Sequence, residues 1–336
     1  MSKYVGVGAR DQNGVSVSRY FRFASPFLPF VELGRLGLDD WWRYPLVGAL
    51  LFFIPWYSID VLYYLLHLVE PALSRELYQR ATAGWGVDFP LWAGVVDFSL
   101  SLAWLAIIIP AAFVLVPMIH RRPWQSLVMA PGGFDWHGFA VSLIVTVVVF
   151  CAPIVIDLLS GDIDNPVVFD GWRFAAFLPA LLILLPAQTL GEEVLFRGYL
   201  LQSVARATDN AHLRLAIPAL LFAAWHFENP EVIAGGIWAG IDHFVTALYM
   251  TALAIRGNGL AMPWGYHLGN NLVAFTIFAP GPADNAPQAA IFGSDGADPV
   301  FSAANVLWSI IFCAAHYCLV FYVLPRWRLG PRGERR

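Results

Sequence analysis

The sequence predicts an all-α fold, a polytopic membrane helix bundle of about eight transmembrane helices, on three observations. The first is composition: 58% of the 336 residues are hydrophobic and 13% are charged, with a mean hydropathy of +0.61. Soluble domains carry roughly 25% charged residues. The second is that the apolar residues gather in runs, and a hydrocarbon core about 30 Å thick is crossed by ~20 helical residues. The third is the placement of basic residues, which are enriched in cytoplasmic loops. Many of the 14 Trp also stand near the ends of the runs, where indole rings favour the headgroup zone.

A segment over 1–43 precedes the first run and mixes aromatic with basic residues, as a cytoplasmic or interfacial stretch does. It lacks the order of basic start, apolar core and small-residue site that marks a cleavable signal. The membrane-embedded domain then covers 44–325, with spans expected at 44–69, 89–119, 137–159, 172–206, 214–228, 231–255, 260–280 and 299–324. The fifth is bounded by Arg214 and Asn229-Pro230 and is short enough that it either tilts little or stops partway. The stretch "GPGPADNAPQAAIFGSDGADP" reads as a Gly/Pro/Ala-rich external loop, and 326–336 as a basic cytoplasmic tail. With both termini inside, cytoplasmic segments collect sixteen of the twenty Lys and Arg. The outer loops 160–171 and 281–298 carry Asp and neither Lys nor Arg. The expectation is an integral, multi-pass protein of a prokaryotic plasma membrane.

Cys151, Cys313 and Cys318 lie inside apolar runs without CxxC spacing and read as small buried hydrophobes. No internal repeat suggests an inverted-repeat transporter.

Ionisable residues at membrane depth cost a few kcal/mol each, so they face a protein interior or water and mark function. The candidates are Glu192, Glu193 and Arg197 in the fourth run, His226 in the fifth, Asp242 and His243 in the sixth, and His267, Asn270 and Asn271 in the seventh. Asp60, Asp97, Asp157, His67 and His316 stand singly and read as structural or interfacial. Residues four apart share a helix face, so Glu193 and Arg197 pair and neutralise each other. Glu192 has Phe196 at that spacing and is left freer for chemistry. Phe222 with His226, and His267 with Asn271, share faces in the same way. His226 is twelve residues from Arg214, His267 eleven from Arg256 and Glu192 fourteen from Arg206, so the three lie within about 5 Å in depth.

A carboxylate, two imidazoles and a carboxamide meeting at that depth contain the parts for amide hydrolysis: a base acting on water, a group that holds the water, and donors for an oxyanion. In order along the chain the three patterns are EExxxR at Glu192–Arg197, FxxxH at Phe222–His226, and HxxxN at His267–Asn271. Together they resemble the CAAX-protease and bacteriocin-processing (CPBP) family of intramembrane proteases, which includes the type II CAAX prenyl endopeptidases. The resemblance covers a motif core of about 172–280. It implies an eight-helix bundle around an intramembrane cavity, with Glu192 and His226 activating water and His267 and Asn271 stabilising the oxyanion. Glu193, Arg197 and Phe222 support them.

No cofactor is expected. Zinc on Glu192, His226 and His267 is the runner-up, set lower because no HExxH is present. The expected partners are a membrane-associated protein or peptide substrate and the bilayer, with no nucleic acid. Two other functions fit the sequence: a non-proteolytic bacteriocin-immunity or membrane interaction protein, whose interaction would survive Glu192→Ala and fail with surface substitutions, and an ion-coupled transporter with Glu192, Glu193 and His226 as a proton relay. Asp242 and His243 fit relay and protease alike.

Overall fold

The computed structural model describes residues 29–75, 91–161, 167, 169–282, 290–294 and 302–324. Among the described residues, eight long helices occupy the eight apolar runs. They are α1 (Arg43–Val69), α2 (Leu91–His120), α3 (Trp136–Ser160), α4 (Gly171–Ala207), α5 (Ala211–Trp225), α6 (Pro230–Arg256), α7 (Ala261–Thr276) and α8 (Ala303–Val323). The basic tail and most of 1–43 lie outside the described residues.

Short polar residues at the helix starts explain several boundaries. The side chain of Asp135 accepts from Gly138 N before α3, Asp170 from Trp172 N and Arg173 N before α4, and Asn210 from His212 N and Leu213 N before α5. Each satisfies backbone donors that a helix start leaves free. Ser302 and Asn305 form a reciprocal capping box at α8.

Length separates the eight helices into two classes. Six are long and apolar enough to cross a membrane: α1, α2, α3, α4, α8 and the Gly235–Arg256 part of α6. At 15 and 16 residues, α5 and α7 reach only about 23 Å, short of the ~30 Å core. The expected span 214–228 ends at Trp225, because Asn229-Pro230 begins the next helix and disfavours helical geometry just before it. The expected span 260–280 ends at Thr276, and the chain passes into a parallel pair of short strands, β1 (Phe278–Pro282) and β2 (Phe292–Ser294). Pro280 and Pro282 cannot continue a helix.

The loops sort onto two faces. At one end, the 3-10 turn Phe30–Arg35 packs against the C-terminal end of α4 and the segment after α2. Phe30 and Leu33 are fully buried there. Phe30 N donates to Asn258 Oδ1 at 2.7 Å, Arg206 pairs with Asp39 at 2.5 Å and Arg214 with Glu32 at 3.2 Å. Met129 and Gly259 form a β-bridge beside them. These are the basic loops assigned to one side from charge alone. Val167 and Phe292, in the two acidic loops, meet through another bridge. Arg122, expected in a basic loop, is only 1% exposed and donates to Leu33 O and Gln202 Oε1 at 2.9 and 2.7 Å.

Close helix approach brings α4 and α7 into the interior. A Cβ on Gly191 would stand 2.6 Å from the Leu105 carbonyl oxygen, so α4 touches the α2 backbone just before Glu192. Small residues permit this contact between membrane helices, where dispersion and polar contacts drive packing. Beyond Glu193 the helix loosens into a π-helical stretch, Val194–Leu200, of the kind frequent at functional sites.

Candidate active site

Glu192 and Glu193 lie on α4 with relative exposures of 2% and 0%. The Glu192 Oε1 atom accepts from Gln188 Nε2, one turn earlier, while Glu192 Oε2 has no hydrogen-bond partner among the described residues. Glu193 Oε1 accepts from Arg197 Nη1 at 3.0 Å, so the pair expected from four-residue spacing forms despite the π-helical turn. Arg197 is fully buried, and its Nη2 donates to Ala247 O at 3.3 Å.

From α7, His267 enters between the two carboxylates. Its Nδ1 lies 2.8 Å from Glu193 Oε1 and its Nε2 3.7 Å from Glu192 Oε2. The first is a hydrogen bond and the second is beyond one. Two carboxylates, one guanidinium and the His267 ring are thus gathered away from water, where unbalanced charge is costly.

Phe222 of α5 explains why an aromatic belongs to this cluster. The Arg197 guanidinium stands 4.3 Å from its ring centroid, and the His226 and His267 rings are 4.4 and 5.9 Å away. Cation–π attraction reaches ~2 kcal/mol when desolvated, so one apolar ring contacts all three cationic or polar groups at low cost.

His226 occupies the turn between α5 and α6. It lies just past the end of α5, at φ −91° and ψ 0°, with Nδ1 2.8 Å from Phe222 O. Its ring faces His243 of α6 at 4.9 Å, and among the described residues it has no hydrogen bond to Glu192. The residue standing beside Glu192 is His267. Asn271 is half-buried one turn beyond His267, and its Oδ1 accepts from Asn270 Nδ2 at 3.4 Å; its own Nδ2 has no hydrogen-bond partner among the described residues.

The carboxylates are packed closed rather than set on the wall of an open cavity. His226, Asn270 and Asn271, all half-buried, form the more accessible part of the group. Among the described residues no three His, Cys, Asp or Glu side chains converge as metal ligands, so Glu192, His226 and His267 do not fit a zinc ion in this arrangement. One neighbour, Gln188, was not singled out from sequence, though it carried a signal, since it precedes Glu192 by four residues. His243 was a candidate, but its packing against His226 depends on two helices and left no signal in the sequence.

Asp242 and His243, adjacent in sequence, point to different neighbours. Asp242 lies near Ser309 of α8, whereas His243 faces His226. His316 is a structural bolt, as expected: it bonds Tyr249 Oη at 2.5 Å and Ser142 Oγ at 3.2 Å, tying α8 to α6 and α3.

Residues 174–273 match the model of the family described as Rce1-like, type II CAAX prenyl endopeptidase Rce1-like. That stretch contains all three motifs. The chain is 27% identical over 297 residues to the uncharacterized protein YyaK of Bacillus subtilis (strain 168), covering 87% of this chain and 93% of that protein. No solved structure matches it. Over 174–273 the chain is thus similar to the Rce1-like, type II CAAX prenyl endopeptidase family, and among the described residues six helices are long and apolar enough to cross a membrane.

Proposed function

We propose that the protein is an intramembrane glutamate-type endopeptidase that hydrolyses a peptide bond of a membrane-associated protein or peptide. The observation that carries this reading is His267 standing between Glu192 and Glu193, with Glu192 Oε2 left without a hydrogen-bond partner among the described residues. That oxygen is the base. It takes a proton from water as the water oxygen attacks the scissile carbonyl carbon. The resulting oxyanion accepts from His267 Nε2–H and Asn271 Nδ2–H, donors commonly worth a factor of about 10² to 10³ each. The Glu192 carboxylic acid then passes its proton to the amide nitrogen as the C–N bond breaks and the oxyanion returns to a carbonyl, so the products are a carboxylic acid and an amine, with Glu192 again a carboxylate.

The remaining groups serve this step. Glu193 and Arg197 form the ion pair that holds His267 in place. With its Nδ1–H donated to the Phe222 carbonyl, His226 presents the Nε2 lone pair and accepts a hydrogen bond from the water. Water and substrate reach the closed carboxylates when the turn between α5 and α6 moves, and the break in α6 at Gly236, φ 59° and ψ −142°, supplies a pivot.

The test uses purified full-length protein in liposomes with fluorogenic peptides carrying a lipid anchor. Glu192→Gln is expected to lower turnover at least about 100-fold, within the range of general acid–base contributions, while insertion is unchanged. Cleavage at the wild-type rate by Glu192→Gln overturns the assignment.

A further inference from the structure

His226 and His243 form an arrangement that the proposed hydrolysis uses only in part. His226 follows α5 and His243 lies mid-way along α6, yet the rings stand 4.9 Å apart, inclined at 42°. Each ring is anchored in the same way. His226 Nδ1 is 2.8 Å from the carbonyl of Phe222 and His243 Nδ1 is 2.9 Å from the carbonyl of Ala239, four residues earlier in both cases. A carbonyl only accepts, so each Nδ1 carries the proton and each neutral ring keeps its lone pair on Nε2. Among the described residues neither Nε2 has a hydrogen-bond partner, and both side chains are half-buried rather than sealed.

An imidazole whose Nδ1–H is held by a backbone carbonyl while Nε2 is free is in the form that ligates metals, because the held proton settles tautomer and ring direction in advance. Two such rings side by side suit borderline cations such as Zn²⁺, Ni²⁺ or Cu²⁺, which favour imidazole nitrogen, over Mg²⁺ or Ca²⁺, which favour oxygen. We propose that His226 and His243 are a two-imidazole site for a divalent transition-metal ion, completed by solvent, and that a metal bound there stops hydrolysis by occupying His226 Nε2. The metal-binding half stands on geometry alone; the inhibitory half rests on the peptidase reading. The site is separate from Glu192 and His267, neither of which supplies a ligand.

The test uses untagged full-length protein in detergent, stripped with EDTA and titrated calorimetrically with Ni²⁺. The expected result is one Ni²⁺ per chain, lost in His226→Phe and in His243→Phe, and kept in Glu192→Gln and His267→Phe. Phenylalanine preserves ring packing, and His243→Gln serves as a second variant should the first elute as aggregate. Retained binding in a monodisperse His243 variant, or loss in Glu192→Gln, overturns the site.

In the cleavage assay, micromolar Ni²⁺ is expected to suppress the wild type reversibly with EDTA, while His243→Phe cleaves at the wild-type rate and ignores the ion. Equal inhibition of both proteins overturns the inhibitory role. A wild type that cleaves nothing, yet binds Ni²⁺ through both histidines, refutes the peptidase reading and leaves the metal site standing.

Discussion

Removing the Arg197 guanidinium tests whether the site is held together by a buried ion pair. In Arg197→Met the Glu193 carboxylate, with no exposed surface, loses its 3.0 Å partner, and Ala247 O loses a donor at 3.3 Å. The Phe222 ring loses its cation at 4.3 Å. Breaking a buried pair by deleting one partner costs about 3–5 kcal/mol, because the remaining charge is uncompensated. A solvent-exposed pair would cost under ~1 kcal/mol. At about 1.4 kcal/mol per factor of ten, the folded-to-unfolded ratio falls by roughly 10² to 10³ or more. The assay is unfolding in mixed micelles with increasing SDS, followed by tryptophan fluorescence. The double variant Glu193→Leu/Arg197→Met removes both charges and is expected to be more stable than Arg197→Met alone, which isolates uncompensated charge from lost packing. An Arg197→Met protein within ~1 kcal/mol of the wild type would refute the reasoning.

Three further outcomes follow from the same geometry. Asn271→Ala is expected to lower kcat by about 10² to 10³ with little change in KM, since it removes a donor needed only once the oxyanion forms; steady-state kinetics on the lipidated peptide reads this. Gly191→Val should destabilise the fold by about 1–3 kcal/mol, because the Leu105 carbonyl lies 2.6 Å from the new Cβ and backbone must shift to relieve it; SDS unfolding measures the loss. Gly236→Ala meets no neighbour within 4 Å, so its cost is backbone strain at φ 59° and ψ −142°, about 1–3 kcal/mol, read as a lower thermal midpoint without loss of monodispersity.

Apolar runs and four-residue spacings were legible in the one-dimensional chain because both arise within a single helix. Run length located the eight helices found among the described residues, six of them long and apolar enough to cross a membrane, and charge distribution grouped the basic loops that the fold gathers at one end. Glu193 with Arg197 needs only one helix, so that ion pair was readable in advance. Tertiary packing decided everything that depends on how one helix is rotated against another. His267 rather than His226 stands beside Glu192 because α7 docks against α4, while α5 ends at Trp225 and turns His226 toward α6. Arg122 counted as a loop charge until the turn Phe30–Arg35 covered it. Periodicity states which side chains share a face. Which neighbour that face meets depends on crossing angle, close backbone approach and helix length, and these come from the whole bundle at once.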